Sequence, residues 1–421
     1  MLANLTPDVA LAERLFADLH AATHDGIGIT RESYGEGERK AHGIARAAAD
    51  GLGLETRVDP VGNLLMTLPG SDRGAKRVLI GSHLDSVRSG GNFDGAAGVL
   101  AGLAAVAGMR RAGFVPGRDV TVVALRAEEA GSWFPVSYPG SRGALGLLKP
   151  EELSVRRQDS GRSLADHMRE EGFDPAFVEA QGRSFSAADT LAFLELHIEQ
   201  GPVLDAEDIP VGIITGIPGS RRLRAARVVG EYNHSGATPR MYRRDAAIAL
   251  AELAYRVDQR WLDLEAQGHV LVCTFCVLGT TADAGFTKIA GEAEFQLDVR
   301  SVNPQSVDAV METLYHLVPD IEARRGVRFL LGKETGSSAA PMDAAVQAGL
   351  RRAADQLGIR HKTMASGGGH DAAAFVQAGI PAGMIFVRNQ NGSHNPSEAM
   401  RMEDFAAACA VVTRWAAEVA Q

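Results

Sequence analysis

The chain has 421 residues, of which 45% are hydrophobic and 23% are charged, and its formal net charge at pH 7 is −9. A chain of this length and composition can bury a large core, and we expect two domains. The acidic balance and the lack of a Lys/Arg-rich block argue against a nucleic-acid or membrane-surface partner. No apolar run predicts a membrane span, and the N-terminal MLANLTPDVALAERLF is unlike a signal peptide, so a cytoplasmic enzyme is expected.

The first half of the chain alternates helix-like and strand-like segments. Helices are predicted over 7–24, 36–52 and 96–112, and strands at VLIGSH, 120–127, 192–199 and 383–389. Apolar strands separated by helices predict an α/β sheet with helices on both faces.

The order of predicted strands and helices changes between about residues 212 and 330. Strand-like and helix-like segments there follow the order β-α-β-β-α-β, which is typical of a compact unit with a four-stranded sheet and two helices on one side. Gly/Pro-bearing stretches, GIITGIPGS and GKETGSS, flank the segment. We therefore expect a discontinuous larger domain, 1–211 and 331–421, with a smaller domain, 212–330, inserted in it.

The cysteines give little sign of metal or redox chemistry. Cys273 and Cys276 form a CxxC in the strand-like VLVCTFCVLG, where residues three apart point to opposite faces. With no second cysteine pair, we interpret both as buried small apolar residues.

Residue types that bind metals recur where the predicted strands end. His83 and Asp85 end the VLI strand on one side of the chain, and the others follow strands or a glycine-rich turn: Asp94, Glu128, Glu129, His197 and His394. Ligands of open α/β sheets bind beyond the carboxyl ends of the strands. Imidazole and carboxylate groups are zinc ligands, and a catalytic site keeps one position for water. The set therefore predicts a catalytic metal site.

Phosphate binding, a serine nucleophile and dinucleotide binding are less favoured as functions of the glycine-rich stretches. Gly367-Gly368-Gly369 is not followed by the Gly-Lys-Ser/Thr of a phosphate loop, and no Gly-x-Ser-x-Gly elbow is present. Two aspartates in GSHLDSVRSGGNFDGAAG would repel a dinucleotide pyrophosphate.

The motifs together resemble a known family. GSHLDS, GGNFDG, the Glu128-Glu129 pair, ELHIEQGP, NHSGATP, GGGHDA and GSHNPSE, in this order, resemble the dinuclear-metal amidohydrolases of the M20 metallopeptidase superfamily. The closest branch is the hydantoinase/carbamoylase branch, with N-carbamoyl-L-amino-acid hydrolases, β-ureidopropionases and allantoate amidohydrolases. The resemblance covers about residues 20 to 405. It implies an aminopeptidase-like catalytic domain with an inserted lid and dimerisation domain.

The resemblance also implies roles for the residues at the strand ends. Asp94 would bridge two divalent ions, with His83 and His197 on one ion and Glu129 and His394 on the other. Zn²⁺ is the expected metal, with Mn²⁺ or Co²⁺ as alternatives. Asp85 would orient His83. Glu128 would be the general base for the water between the metals.

Further residues would contact a small N-substituted amino acid. His234 would stabilise the oxyanion, often from the partner subunit of a homodimer, and Arg300 would bind the substrate carboxylate. His370 and Gln200 match substrate-binding positions. Thr287 stands where the branch usually has a substrate-contacting Asn. The identity of the N-substituted amino acid is therefore left open by the sequence.

A second departure from the branch is the loop AGSWFPVSYPGS after the two glutamates. Its aromatic residues, Trp133, Phe134 and Tyr138, either line a different pocket or pack against the sheet.

The resemblance implies metal-dependent cleavage of a C–N bond in an N-carbamoyl amino acid. One alternative is an amidase or deacylase for another N-substituted amino acid or small carboxylate amide. The other is a non-catalytic binding protein on the same fold, although the presence of Glu128 beside five candidate ligands argues against it.

Overall fold

The computed structural model describes residues 5–421, which form two compact units. One unit comprises the described residues up to Gly216 together with Pro341–Gln421, and the other is Ile217–Ala340. These divisions lie five and ten residues beyond the divisions predicted from the sequence, 211/212 and 330/331. The difference arises because residues 211–214 pair within the larger sheet, whereas residues 334–337 pair within the smaller one.

The helices and strands have the following bounds. The helices are α1 (Val9–Thr23), α2 (Glu36–Gly51), α3 (Ala96–Arg111), α4 (Pro139–Ala144), α5 (Leu164–Glu170), α6 (Pro175–Glu179), α7 (Val203–Ala206), α8 (Ala246–Ala266), α9 (Pro304–Arg325), α10 (Ala344–Gln356), α11 (Ala372–Gln377) and α12 (Met402–Val419). The strands are β1 (Glu55–Val58), β2 (Leu64–Leu68), β3 (Arg77–His83), β4 (Val120–Leu125), β5 (Thr190–Ile198), β6 (Val211–Ile214), β7 (Gly216–Ile217), β8 (Gly219–Val229), β9 (Asn233–His234), β10 (Val272–Thr280), β11 (Lys288–Ile289), β12 (Glu292–Ser301), β13 (Arg328–Leu330), β14 (Glu334–Ser337), β15 (Ala340–Pro341), β16 (His361–Met364) and β17 (Ala382–Val387).

The larger unit is built on an eight-stranded mixed sheet of order β1-β2-β4-β3-β5-β17-β6-β16. Its centre is parallel, because β3 pairs in parallel with β4 and β5, and β5 pairs in parallel with β17. β1, β2 and β6 pair antiparallel with neighbours in the sheet. The carboxyl ends of β4, β3, β5 and β17 therefore lie side by side.

Helices cover both faces of this sheet, as the sequence predicts. Successive residues of β5 point to opposite faces. Leu194 belongs to the apolar core that α1, α2, α3, α10 and α12 share with the sheet. The adjacent Phe193 stacks on Phe375 of α11, with ring centroids 3.9 Å apart. The α/β class is thus confirmed.

The smaller unit has a five-stranded sheet in which the path β10-β12-β8-β13 is joined by β14 on β8. Helices α8 and α9 pack on this sheet around a core that includes Leu250, Phe295 and Leu314. The order β8-α8-β10-β12-α9-β13 is the β-α-β-β-α-β order expected from the sequence. The short strands β9 and β11 form an additional pair.

The three cysteines are free thiols. Cys273 and Cys409 are buried, but Cys276 is exposed, so its interpretation as a buried residue was wrong. The reason is a register shift in β10 between Phe275 and Val277, which interrupts strict alternation at Cys276.

Within residues 5–421, no helix combines the length and the apolar character needed to cross a membrane.

Candidate metal centre

The candidate ligands lie at the carboxyl ends of the central parallel strands. His83 ends β3, His197 lies near the end of β5, and His394 follows β17. Asp94 lies between β3 and α3, and Glu129 lies in a short 3-10 helix, Glu128–Ser132, that follows β4. The parallel pairing of these strands brings together residues that are up to several hundred positions apart in the sequence.

The first donor group contains His83, Asp94 and His197, all of which are buried. Asp94 Oδ1 lies 3.4 Å from His83 Nε2 and 3.2 Å from His197 Nε2. Two imidazoles and one carboxylate oxygen thus converge on one point.

The second donor group contains Asp94, Glu129 and His394. His394 Nε2 lies 2.7 Å from Glu129 Oε1 and 3.6 Å from the other oxygen of Asp94, Oδ2. The hydrogen bond to Glu129 raises the pKa of His394 to about 9. The two oxygens of Asp94 therefore face two different donor groups, as a carboxylate that bridges two ions would.

The chemistry of these donors fits two divalent ions. In each group the ligand atoms lie within 4.8 Å of one another. Among the described residues, His83 Nε2 and Asp94 Oδ1 are buried without a hydrogen-bond partner. Leaving such polar atoms unsatisfied costs about 1–3 kcal/mol each, and coordination would satisfy both. Imidazole and carboxylate groups suit zinc and its neighbours in the first transition series.

Asp85 contacts His83 at Nδ1, the ring nitrogen that is not directed at Asp94. His83 Nδ1 lies 3.1 Å from the backbone oxygen of Asp85 and 3.3 Å from its Oδ1. These contacts leave Nε2 as the nitrogen directed at Asp94. The Asp85 oxygens also accept the backbone N–H groups of Glu128 and Glu129, each at 3.0 Å, and Oδ2 accepts the hydroxyl of Ser33 at 2.5 Å.

Glu128 lies beside the first donor group. Its carboxylate is buried, and Oε2 is 3.9 Å from His83 Nε2. Burial raises the pKa of the Glu128 carboxyl well above its usual range, which outweighs the opposite effect of His83. A carboxyl group with a raised pKa is a stronger proton acceptor.

The backbone before Glu128 is held in an unusual conformation. Ala127 has φ +59°, in the left-handed region that a residue with Cβ seldom adopts. Its N–H donates to Glu38 Oε1 at 2.8 Å, and Glu38 also forms a buried ion pair with Arg126 at 3.0 Å. Glu38 thus fixes the turn that carries both glutamates, although sequence reasoning did not identify it.

Asp94 is also held by residues that sequence reasoning missed. Glu398 Oε1 accepts the N–H groups of Phe93 at 2.9 Å and Asp94 at 3.2 Å. The hydroxyl of Ser393 donates to Asp94 Oδ2 at 2.5 Å. Both residues lie in the GSHNPSE motif, and membership of this motif was the only sequence signal that could have identified them. Gly95 adds space, because a Cβ there would lie 2.3 Å from the His83 ring.

Two expected substrate-binding residues lie at the centre. The Gln200 amide nitrogen is 3.0 Å from Asp94 Oδ2 and 3.2 Å from His394 Nε2. His370 is buried, with its ring centroid 4.4 Å from that of His197 and its Nε2 3.0 Å from Ser366 Oγ. Burial, followed by the charge of His197, lowers the pKa of His370 well below its usual value.

Within the smaller unit, His234 and Thr287 lie close together on the β9–β11 pair. His234 is paired with Lys288, and Ser235 N–H donates to the Thr287 carbonyl at 2.9 Å. His234 Nδ1 accepts the N–H groups of Gly236 at 3.1 Å and Ala237 at 3.0 Å. The neutral imidazole therefore carries its proton on Nε2, where it can be donated.

Arg300 of β12 is held in an ion pair. Its Nε and Nη2 donate to Asp298 Oδ2 at 2.9 and 2.7 Å. The guanidinium is therefore oriented by Asp298, which also pairs with Arg222 at 3.1 Å.

The aromatic loop after the glutamates divides into two parts. Trp133 and Phe134 are buried; the Trp133 indole donates to Ser86 O at 2.9 Å, and Phe134 packs edge-on against His167. Both therefore pack against the structure rather than line an open pocket. Tyr138 differs, since burial and then the charges of Glu128 and Asp371 raise the pKa of its hydroxyl well above the ordinary range.

Comparison with known proteins places this geometry in a family. The model of peptidase family M20/M25/M40 matches residues 79–418. An N-carbamoyl-L-amino-acid amidohydrolase of Paenarthrobacter aurescens is 33% identical over 97% of this chain and 98% of its own. An allantoate amidohydrolase of Bacillus subtilis (strain 168) is 31% identical over 90% of this chain and 89% of its own.

A solved structure agrees with these relatives. The crystal structure of a hydantoinase/carbamoylase family amidase from Burkholderia ambifaria is similar with a TM-score of 0.88 at 30% identity, covering 100% of this chain and 98% of its own. The chain therefore belongs to peptidase family M20/M25/M40, in its hydantoinase/carbamoylase branch, and is a hydrolase of carbon–nitrogen bonds in linear amides.

Proposed function

We propose that the protein hydrolyses the C–N bond of N-carbamoyl (ureido) amino acids at a centre of two divalent ions. The observation that carries the proposal is that the two oxygens of Asp94 face separate donor groups, with the buried Glu128 carboxylate beside one of them. The similarity to an N-carbamoyl-L-amino-acid amidohydrolase supports the choice of substrate.

The proposed ligands are His83 and His197 for one ion, Glu129 and His394 for the other, and Asp94 for both. We expect Zn²⁺, with Mn²⁺ or Co²⁺ as alternatives. Two bound divalent ions would lower the pKa of a water molecule and polarise the scissile carbonyl group.

Glu128 is the proposed general base. Its buried carboxylate accepts a proton from the attacking water and passes that proton to the leaving nitrogen. Asp85 fixes the position of Glu128 through the 3.0 Å hydrogen bond from the Glu128 N–H. Hydrolysis of the ureido group by one water gives the amino acid and carbamic acid, which decomposes to ammonia and carbon dioxide.

The smaller unit is proposed to act as a lid that supplies polar contacts to the substrate. His234, with its proton on Nε2, is a suitable donor to the oxyanion. Arg300, oriented by Asp298, is proposed to bind the substrate carboxylate, and Thr287 to contact the substrate beside His234. In the larger unit, Gln200 and His370 are proposed to complete the substrate site.

We further propose that the smaller unit mediates a homodimer. Ile248, Tyr255 and Leu262 of α8 are 50%, 64% and 53% exposed. Their seven-residue spacing places them on one face of the helix, so they form an apolar stripe. Sedimentation equilibrium at micromolar concentration is expected to give the mass of two chains, and a single-chain mass would contradict the proposal.

A second candidate function is an amidase for a different N-substituted amino acid. The observation that favours it is Thr287, a short hydroxyl residue where the branch usually has an amide, whose carbonyl accepts the N–H of Ser235, the residue after His234. A non-catalytic binding protein is disfavoured, because binding alone gives no reason to keep Glu128 buried and anchored beside the donor groups.

The experiment is a parallel assay of amine and ammonia release. N-carbamoyl, N-formyl and N-acetyl amino acids are offered to the protein with Zn²⁺, Mn²⁺ or Co²⁺. The proposal predicts equal molar amounts of amine and ammonia from N-carbamoyl substrates. Amine release from N-acyl substrates alone would favour the second candidate, and no release from any of these substrates would contradict both candidates.

A further inference from the structure

The loop that leads from Glu129 to α4 is held by close contacts at both of its ends. At its start, the Trp133 indole donates to Ser86 O at 2.9 Å. At its end, Gly140 lies so close to the β4 terminus that a Cβ would be 2.1 Å from the Arg126 carbonyl oxygen. Asn63 Nδ2 also donates to Gly140 O at 3.1 Å. Both ends of the segment that carries Tyr138 are therefore held by contacts to other parts of the larger unit.

Tyr138 lies in this segment with an unfavourable backbone conformation. Its φ and ψ are +53° and +45°, in the left-handed region, where a bulky residue is uncommon. Such strain persists only where the surrounding structure enforces it, and it is frequent at functional sites.

The Tyr138 hydroxyl lies close to the glycine-rich loop, residues 367–369, which leads to His370 at the candidate metal centre. A Cβ on Gly369 would lie 2.0 Å from Tyr138 Oη, and a Cβ on the neighbouring Gly368 would lie 2.6 Å from Gln200 Oε1. Gln200 contacts Asp94 and His394, and His370, the next residue of the loop, contacts His197. The glycines thus allow Tyr138 and Gln200 to approach the loop from within the candidate site.

The hydroxyl has the chemistry of a hydrogen-bond donor. After burial, the charges of Glu128 and then Asp371 contribute most to raising the pKa of this hydroxyl, which keeps it protonated. Among residues 5–421, the structure gives Tyr138 Oη no hydrogen-bond partner, and the atom is not fully enclosed. A tyrosine hydroxyl is neutral near pH 7 and offers one hydrogen. The Tyr138 hydroxyl is thus free to donate its hydrogen to a ligand oxygen.

We propose that Tyr138 is a substrate-binding residue whose hydroxyl donates a hydrogen bond to an oxygen of the N-carbamoyl amino acid bound beside Gly368 and Gly369. This inference rests on the proposed function for the identity of the ligand. It adds to the substrate site a residue of the loop in which this chain departs from its branch. The loop accordingly contributes to substrate selection through Tyr138, whereas Trp133 and Phe134 serve to hold it.

The first test compares substrate binding with and without the hydroxyl. The Glu128→Gln protein, which should bind substrate without turnover, is titrated calorimetrically with N-carbamoyl amino acid, alone and with Tyr138→Phe added. We expect Tyr138→Phe to raise Kd about tenfold, and to lower kcat/KM of the otherwise unaltered enzyme by a similar factor. Tyr315→Phe, which removes a hydroxyl bonded to Glu334 in the smaller unit, is the matched control and should change neither. A Kd and kcat/KM within twofold of the parent would overturn the proposal.

Failure of the proposed function has a different signature. In that case the wild type cleaves no N-carbamoyl substrate, and the same comparison is made with the N-formyl or N-acetyl amino acid that it does cleave. A Tyr138→Phe effect there would show that Tyr138 binds substrate although the ureido assignment is wrong. No effect on any cleaved substrate would overturn the role of Tyr138 itself.

The second test needs no substrate. Gly369→Ala should lower the melting temperature, because its Cβ would lie 2.0 Å from Tyr138 Oη. Tyr138→Phe removes that oxygen and leaves Cζ 3.3 Å away, so the double variant should recover most of the loss. Equal losses from Gly369→Ala in both backgrounds would contradict the placement of the hydroxyl.

Discussion

The Asp85 carboxylate accepts the backbone N–H of Glu128 at 3.0 Å while its Oδ1 lies 3.3 Å from His83 Nδ1. One buried side chain thus fixes the position of the proposed base and the orientation of a proposed ligand. Asp85 belongs to neither donor group, and its oxygens accept the N–H groups of Glu128 and Glu129 and the hydroxyl of Ser33. This arrangement makes Asp85 a positioning residue whose loss should affect metal affinity and turnover together.

Asp85→Asn is the substitution that tests this role. The amide keeps the shape but presents an NH₂ group to one of the two backbone N–H donors. We expect metal affinity to fall about 10–100-fold and kcat to fall with it. Metal titration with a competing chelator measures the first effect. Ser33→Ala, which removes only the hydroxyl donor to Asp85, should show a smaller change; an equal change would contradict the argument.

Single-ligand variants should separate the two donor groups. His83→Ala and His394→Ala each remove one ligand from a different group, so each protein should retain about one ion per chain after dialysis, and Asp94→Ala should retain neither ion tightly. Elemental analysis gives these stoichiometries. His234→Ala, in the smaller unit, should keep the wild-type content. Full metal content in both His83→Ala and His394→Ala would argue against the assignment.

His42 should make stability depend on pH. The side chain is buried, and burial followed by the Arg126 charge lowers the pKa of His42 well below 6.5. The unfolded chain therefore binds this proton first as pH falls, so the stabilisation is present above about pH 6.5 and is lost below it. Below pH 6.5, the free energy of unfolding of the wild type should fall more steeply than that of His42→Gln, by up to about 1.4 kcal/mol per pH unit. Urea unfolding at several pH values measures the difference. The same slope in both proteins would be the contrary result, and the exposed His20→Gln serves as the control.

The thiols should differ in reactivity. Burial raises the pKa of Cys273 to about 12, and Cys409 is fully buried, whereas Cys276 is exposed. Iodoacetamide at pH 8 should therefore modify Cys276 alone in the native protein, since the thiolate is the reactive form. Peptide mass spectrometry locates the label, and Cys276→Ser should remain unlabelled. Labelling of Cys273 at the rate of Cys276 would show that β10 opens readily.

The sequence was most informative where residue type and local pattern carry the signal. His83, Asp94 and His197 could be found because metal-binding residue types follow apolar strands. Glu38 and Glu398 could not be found in this way, because each acts by accepting backbone N–H groups from a distant segment. Such an acceptor has no characteristic spacing from the residue whose N–H it accepts, since Glu398 and Asp94 are 304 positions apart in the sequence.

The fold shows the same limit. The strands β3, β4, β5 and β17 were expected from their apolar runs, but β16 was not, because its sequence HKTM has no apolar run. It is a strand because it pairs in parallel with β6 at the sheet edge. Similarly, the exposure of Cys276 depends on a register shift in β10, which strand periodicity does not indicate.

The most direct measurement of the central claim is turnover by Glu128→Gln at full metal content. Glutamine keeps the size of the side chain but cannot accept the proton from water. We expect metal content equal to that of the wild type and a kcat for N-carbamoyl amino acids lower by about 10²–10⁴-fold. Wild-type turnover by the metal-loaded variant would contradict the assignment of Glu128 as the base at this centre.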